Sequence, residues 1–239
     1  MKLAVAALVL VSASAFAEPA PIGHVITAPT AWLPPEGGVV GSASLDHRGD
    51  GGFRFAYGLG ELAAIELGAD DDLRTCAAPC VGRPAPKGNS HATFSVGVPQ
   101  GPTLPAFALR FTTTFDKPSL KAVDLVAVAS YRLGGARFHG GVALLQARTG
   151  DATSALAVRP TAGLELTPPQ YPKTTLMTDF AYLPLLKQDA PGLEWTVGWG
   201  VRYQAFSWSS IELAVRHRES EGLGDSTVMV RVNAVLGRR

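Results

Sequence analysis

Apolar and polar residues alternate one by one along much of this chain. In segment 193–204, one set of alternate positions is apolar: Trp195, Val197, Trp199, Val201 and Tyr203. The intervening positions are polar or small: Glu194, Thr196, Gly198, Gly200, Arg202 and Gln204. Successive side chains of a β-strand point to opposite faces, so the segment predicts a strand with one apolar and one polar face. At helical spacing the same residues would be mixed around the cylinder.

The same period of two residues recurs through the rest of the sequence. Clear examples lie within 53–58, 107–115, 123–132, 211–216 and 228–236. Weaker examples lie within 39–48, 62–70, 91–98, 137–146, 155–166 and 174–182. Together these segments predict about twelve strands, many of them close to the 9–11 residues that a tilted membrane-spanning strand requires.

The connections between the predicted strands fall into two sets. Segments 58–61 and 133–135 are tight glycine turns of the hairpin kind. Longer or more polar segments fall on every second connection, at 70–90, 116–121, 149–153, 184–192 and 219–225. Short turns at one end and longer loops at the other are typical of transmembrane barrels, in which the short turns are periplasmic.

Aromatic residues lie near both ends of the predicted strands. Tyr57, Tyr131 and Tyr203 fall at the tight-turn end, and Phe115, Tyr182 and Trp195 fall at the loop end. The eight-residue step from Trp195 to Tyr203 is about 26 Å along a strand, and about 20 Å of membrane depth at a tilt near 40°. Because transmembrane barrels carry an apolar band about 25 Å tall between aromatic girdles, we expect these six residues at the membrane interfaces.

The beginning of the chain has the order of a secretory signal peptide. A basic start at Lys2 precedes the apolar run 3–11, and Ala15-Phe16-Ala17 supplies small residues before Glu18. We therefore expect a signal peptide at 1–17, cleaved near Ala17/Glu18, an N-terminal segment 18–37 that leads into the first strand, and a barrel domain at 38–239.

Composition narrows the function classes. Charged residues make up 17% of the chain, fewer than the roughly 25% of soluble domains. No run of 18 apolar residues follows the signal peptide, which excludes helical membrane spans. The net charge of +1 gives no electrostatic reason to expect a nucleic-acid partner.

These features resemble bacterial outer-membrane β-barrel proteins as a class. The signal peptide, the hairpin 53–67 and the strand Trp195–Tyr203 carry the resemblance, and 27–35 is similar to the segment before the first strand in some of these barrels. It implies an all-β, transmembrane antiparallel up-and-down β-barrel of about twelve strands in the outer membrane. Its implied partners are outer-membrane lipid and the barrel-assembly machinery. Such barrels commonly end in an aromatic residue, whereas this chain ends Leu236-Gly237-Arg238-Arg239.

An exported, soluble β-sandwich is the alternative fold, because its strands also alternate between a buried and a wet face. Strand length, aromatic placement and the charge on the polar face favour the barrel over the sandwich.

In a barrel, the polar face of each strand lines the lumen, because charges are costly on the lipid side. Seven arginines and six acids share this face: Arg54, Glu66, Arg110, Asp124, Arg132, Arg159, Glu165, Asp179, Glu194, Arg202, Glu212, Arg216 and Arg231. They are compatible with a narrow passive channel for small polar solutes, or with a structural barrel whose lumen is filled by arginine–carboxylate pairs.

Other candidate chemistry is sparse. Cys76 and Cys80 predict a small disulfide loop in an exported protein, and the acidic run 70–72 is interpreted as a solvated loop rather than a metal site. The five histidines lie in no local catalytic motif. We expect no cofactor, no metal and no enzymatic activity. A surface binding or adhesion module acting through the 70–90 loop, and a lipid-modifying barrel enzyme, are the alternative functions.

Overall fold

The computed structural model describes residues 22–49, 51–70, 89–116, 119–149, 152–185 and 192–237. The predicted signal peptide, the predicted Cys76–Cys80 disulfide and the acids Asp71 and Asp72 lie outside these residues. Within the described residues there is one short 3-10 turn, Leu223–Asp225, and no α-helix. None of the helical structure in the described part of the chain is long and apolar enough to cross a membrane.

Thirteen strands follow one another along the chain. They are β1 (Val39–Asp46), β2 (Gly51–Gly58), β3 (Ala63–Asp70), β4 (Asn89–Val98), β5 (Ala106–Asp116), β6 (Ser119–Leu133), β7 (Ala136–Thr149), β8 (Ala152–Thr153), β9 (Ala157–Leu166), β10 (Thr174–Leu185), β11 (Gly192–Phe206), β12 (Ser209–Arg218) and β13 (Thr227–Leu236). Because β8 has only two residues and pairs with the end of β7 alone, twelve strands form the main sheet.

The twelve strands form a closed antiparallel barrel. Each strand pairs with its neighbours along the chain, with β7 and β9 pairing directly, and β1 pairs with β13 over eight residue pairs. Pairing of β6 with β7 completes the circle, so the main sheet has no free edge strand. The predicted twelve-stranded barrel is confirmed, and the sandwich, which needs two separate sheets, is wrong.

The alternation of the sequence becomes an inside and an outside. On β2, Phe53, Phe55 and Tyr57 are exposed while Arg54 and Ala56 are half-buried. On β12, Ile211 and Leu213 are exposed while Glu212 and Arg216 are buried. An outer surface made of large apolar side chains, around a polar interior, is the pattern that a lipid environment stabilises.

A tight glycine turn and several aromatic residues lie at the strand ends. At one end β6 and β7 are joined by Gly134–Gly135, and Gly134 has a φ of 58° that favours glycine. Five of the six predicted interface aromatics lie on outward positions near the strand ends; three are exposed on β2, β5 and β11, and Tyr131 and Trp195 are half-buried. Phe206 and Trp208 stack at 5.5 Å at the turn end and extend that group.

Tyr182 pairs in register with the outward-facing Trp195 and its ring contacts Phe180 at 5.4 Å, but the same ring also borders the lumen. The ladder between β9 and β10 contains only five pairs and ends at Ala162–Phe180. Beyond that point the two strands pair only with their other neighbours, β7 and β11. The half-buried Tyr182 ring lies against the Arg159 guanidinium, with 5.1 Å between the guanidinium carbon and the ring centroid, and lines a cavity inside the barrel.

We expect a charge on the outer face to destabilise the barrel. Leu213 is 56% exposed in the middle of β12, and arginine at the bilayer midplane costs about 2–4 kcal/mol. Leu213→Arg should lower the free energy of unfolding in phospholipid vesicles by that amount, measured by urea titration. Leu223→Arg, in the loop-side 3-10 turn, is the control and should change it by less than about 0.5 kcal/mol; equal effects would contradict a lipid-facing β12.

Candidate functional site: a hairpin inside the barrel

The lumen contains a second piece of this chain, residues 22–31, which we call the lumen hairpin. His24 and Pro29 form an antiparallel bridge, and the Val25 amide donates to the Ala28 carbonyl at 2.9 Å. The Thr30 amide donates to the Gly23 carbonyl, also at 2.9 Å. Val25, Ile26, Ala28, Thr30 and Ala31 are at most 3% exposed. The segment predicted to lead into the first strand does so, but first folds back within the barrel.

One carboxylate fixes the tip of the lumen hairpin. The Oδ2 atom of Asp179, on β10, accepts the amides of Ile26, Thr27 and Ala28 at 3.0, 2.5 and 2.6 Å. Three successive N–H groups that converge on one anion form a backbone nest. Hydrogen bonds to a charged group are worth more than neutral ones, about 1.5–3 kcal/mol each, so Asp179 is the main anchor of the tip.

Arginines from three strands bind the carbonyl groups of the same segment. Arg110 donates to the Gly23 carbonyl at 2.7 Å, and Arg231 donates to the Ile26 carbonyl at 2.8 Å. Arg202 makes longer contacts with the carbonyls of His24 and Val25, at 3.5 and 3.4 Å. The inner wall therefore supplies the hydrogen-bond partners that this backbone would otherwise take from water.

Apolar contacts hold both ends of the lumen hairpin. Val25 and Ile26 pack with inward-facing Met177, Ala214 and Met229. At the other end of the hairpin, away from its tip, Ala31 and the adjacent Trp32 pack on an apolar patch of β5, β6 and β7. The patch comprises Ala106, Ala108, Val126, Val128, Ala143 and Leu145. The Ala31 amide also donates to the Ser130 hydroxyl at 2.7 Å.

A row of alternating charges crosses the inner wall beside the lumen hairpin. Arg202 bonds Glu165 and Glu212, each at 2.6 Å. Glu165 also accepts from Arg137 at 2.9 Å, and Glu212 accepts from Arg231 at 3.2 Å. Each carboxylate is thus shared by two arginines, which is the arrangement that makes burial of ion pairs tolerable.

A second charged cluster lies on the opposite wall. Glu66, on β3, contacts Arg110 at 3.4 Å and His91 at 3.5 Å.

A third charged group lies near the loop end of β11 and β12. There Glu194 accepts hydrogen bonds from Arg218 and from the Ser220 hydroxyl, both at 2.7 Å.

The thirteen predicted lumen charges all lie on inward positions, but the structure does not gather them in one site. Nine are buried and four are half-buried, namely Arg54, Asp124, Arg132 and Arg159. Glu66, Arg110, Glu165, Asp179, Arg202, Glu212 and Arg231 contact the lumen hairpin or its immediate partners. Arg132 lies at the turn end of β6, where its backbone bonds Gln100.

Two of the cavities bordered by the described residues lie beside the lumen hairpin. A cavity of about 130 Å³ lies on the loop side and is lined by Thr93, Thr112, Thr114, Asp124 and their neighbours. A cavity of about 40 Å³ lies on the turn side, against Trp32, Ser42, Ser95 and Asn233. Both are lined by His24, Arg54, Glu66 and Arg110, which therefore separate them.

The environment of His24 at this constriction disfavours its charged form. Burial inside the barrel, together with the positive charges of Arg54 and Arg110, lowers the pKa of its imidazole well below the usual value of 6.5.

Sequence reasoning missed the lumen hairpin and two of the arginines that complete the charge pairs, Arg137 and Arg218. Arg137 is the first residue of the predicted strand segment 137–146, and Arg218 lies two residues beyond the predicted segment 211–216. The signal that could have revealed the hairpin is the set of apolar residues at inward positions, such as Val126, Val128, Met177 and Met229. Apolar side chains on a lumen face are expected to pack against another part of the protein, because their exposure to water is unfavourable. The described residues hold no cluster of three or more metal-ligating side chains.

Solved structures of bacterial porins share this fold. The KdgM porin superposes with a TM-score of 0.52 at 8% identity, covering 84% of this chain and 99% of that one. The NanC porin does so with a TM-score of 0.54 at 6% identity, covering 84% and 100%. No family model and no curated protein sequence matches the chain. The structural likeness establishes a porin-like barrel fold and confirms the resemblance to outer-membrane barrels.

Removal of the Asp179 carboxylate should release the hairpin tip. In a Cys76→Ser/Cys80→Ser background, a Thr27→Cys reporter should react slowly with a membrane-impermeant thiol reagent. Asp179→Ala should speed the reaction at least tenfold, because a loss of about 1.4 kcal/mol changes the released fraction by that factor. Thr178→Ala, on the outer face of the same strand, is the control. Unchanged reactivity in Asp179→Ala would show that the carboxylate does not hold the tip.

Removal of Arg202 should be more damaging than removal of an arginine at the turn end. Arg202→Met leaves Glu165 and Glu212 with one arginine each, and breaking a buried pair costs about 3–5 kcal/mol. Urea unfolding in vesicles should show that loss, whereas the half-buried Arg132→Met should lose less than about 1 kcal/mol. A smaller loss for Arg202→Met than for Arg132→Met contradicts a central role for the charge row.

Proposed function

We propose that the protein is an outer-membrane channel for small polar solutes, narrowed by its own lumen hairpin. The observation that carries the proposal is the pair of polar-lined cavities, on the loop side and the turn side, that meet at one constriction. A barrel filled only for strength would pack this space with side chains.

The path runs along one side of the lumen. Asp179, Arg202 and Arg231 hold the lumen hairpin against the wall formed by β10–β13. The loop-side cavity borders β2–β6, where Thr93, Thr112 and Thr114 supply hydroxyl groups, and extends to β9 and β10 at Thr161 and 181–184. Such groups can replace the hydration shell of a small polar solute as it passes.

The constriction contains charged side chains and a hydrogen bond to the lumen hairpin. Arg110 bonds Glu66 and the Gly23 carbonyl at once. The width of the constriction therefore depends on the position of the lumen hairpin. Displacement of the hairpin would join the two cavities. Two arginines, Arg54 and Arg110, and one carboxylate, Glu66, line the constriction, so we expect a weak preference for anions.

The likeness to porins supports this proposal. One neighbouring structure is described as the KdgM porin in complex with disordered oligogalacturonate, with a TM-score of 0.52 at 7% identity. An outward apolar surface and aromatics near both strand ends support residence in the outer membrane, with outer-membrane lipid as the surroundings. Assembly by the barrel-assembly machinery and absence of enzymatic activity stay predictions. A structural barrel with a closed lumen is the competing interpretation.

Planar-bilayer recording distinguishes the two. The purified wild-type protein should show small single-channel conductance, and Asp179→Ala should raise it several-fold because the path widens when the hairpin tip is released. The Thr178→Ala control should match the wild type. A heat-modifiable gel band checks that each variant is folded. If folded wild type and folded Asp179→Ala both fail to conduct, the protein is a structural barrel and the channel proposal is wrong.

A further inference from the structure

The barrel wall has an opening between β9 and β10 on the loop side, which we call the β9–β10 split. It is formed by residues 157–161 of β9 and 181–185 of β10, which lie beyond the last pair of their shared ladder, Ala162–Phe180. Over the same stretches β9 remains paired with β7, and β10 with β11. Each strand is therefore regular on one side and unpaired on the side that faces the split.

The sequence itself opposes closure of the split. Pro160 and Pro184 stand on its two edges, and proline has no N–H to donate to a ladder. At the base of the split, the Thr161 hydroxyl donates to the Phe180 carbonyl at 3.2 Å. At the point where the ladder ends, the Phe180 carbonyl thus accepts a hydrogen bond from a side chain of β9.

The split is continuous with the loop-side cavity. Thr161, Ala181, Tyr182, Leu183 and Pro184 all line the cavity of about 130 Å³. Unpaired backbone is tolerated at membrane depth where it borders a water-filled space. Tyr182 pairs in register with Trp195, which stands at the loop-side end of the apolar belt. The cavity therefore reaches the barrel wall at the level of the loop-side interface.

The side chains around the split differ between its inner and outer faces. Arg159 points inward, its guanidinium over the Tyr182 ring, and its buried Nε makes no hydrogen bond among the described residues. On the outer surface Leu156 and Val158 are 58% and 64% exposed. A guanidinium binds carboxylate, phosphate or sulfonate groups, and the exposed apolar pair suits an alkyl chain.

From this juxtaposition we propose that the β9–β10 split is a binding site for an anionic amphipath that arrives from the membrane. Its head group lies at the Tyr182 edge of the loop-side cavity and bonds the Arg159 guanidinium, which lies over that ring. Its alkyl chain leaves through the split and lies along Val158 and Leu156 on the lipid face. This site is independent of polar-solute conduction, since it uses the wall beside the cavity rather than the constriction.

Photolabelling tests the site in the full chain. The protein is placed in phosphatidylcholine nanodiscs with decane sulfonate that carries a diazirine at the end of its chain, and labelled residues are located by mass spectrometry. Labels should concentrate on 156–161 and 181–185. Unlabelled decane sulfonate should compete, whereas butane sulfonate and decyl maltoside should not, because one has no membrane chain and the other no charge.

Matched variants assign the roles of charge and opening. Arg159→Gln should reduce labelling about tenfold, as expected for loss of one charge-assisted hydrogen bond, while Arg132→Gln, at the opposite end of the lumen, should leave it unchanged. Pro160→Val/Pro184→Val restores two backbone donors and should reduce labelling by letting the strands pair, with Pro168→Val in the β9–β10 turn as control.

Three outcomes overturn the proposal, provided that the heat-modifiable gel band shows folded protein. Labels spread evenly around the belt would mean ordinary lipid contact. Equal labelling of wild type and Arg159→Gln would show that Arg159 does not bind the anionic head group. Competition by butane sulfonate equal to that by decane sulfonate would mean a ligand that comes from water and not from the membrane.

Discussion

Backbone groups that cannot reach bulk water must find partners within the protein, and this constraint organises the whole molecule. In the wall, closure of β1 on β13 and of β6 on β7 gives the main sheet no free edge strand. Inside, the lumen hairpin brings in additional amide and carbonyl groups, and Asp179, Arg110, Arg202 and Arg231 bind them. At the β9–β10 split, the Thr161 hydroxyl bonds the Phe180 carbonyl, and the remaining unpaired backbone borders the loop-side cavity.

The charged residues of the lumen thereby serve two purposes at once. Arg110, Arg202 and Arg231 each bond a carboxylate of the wall and a carbonyl of the hairpin. Interactions that share a partner are not additive, because a change in one leaves the others incompletely satisfied. The position of the hairpin and the arrangement of the charge row are therefore two aspects of one structure, and a solute that competes for these arginines competes with the hairpin.

Much of the wall could be predicted from the sequence, because strand alternation is a local pattern set by the lipid on one side. Predicted segment 39–48 became β1 at Val39–Asp46, and 62–70 became β3 at Ala63–Asp70. The lumen hairpin could not be predicted in this way, since its burial depends on partners such as Asp179, more than 150 residues away. Tyr182 shows the same limit: its residue type, its position and its contact with Phe180 suit a girdle, yet beyond the end of one ladder its ring also lies against Arg159.

The short tether of the lumen hairpin has a kinetic consequence. Only eleven residues separate Thr27, at the anchored tip, from Val39, where β1 begins. A segment on so short a connection experiences its own docking site at an effective concentration on the order of millimolar. A displaced hairpin thus returns by a unimolecular step, at a rate that does not depend on how much protein the membrane contains. If the proposed channel opens by release of the hairpin, we expect its openings to be brief and to be prolonged by a ligand that occupies the vacated arginines.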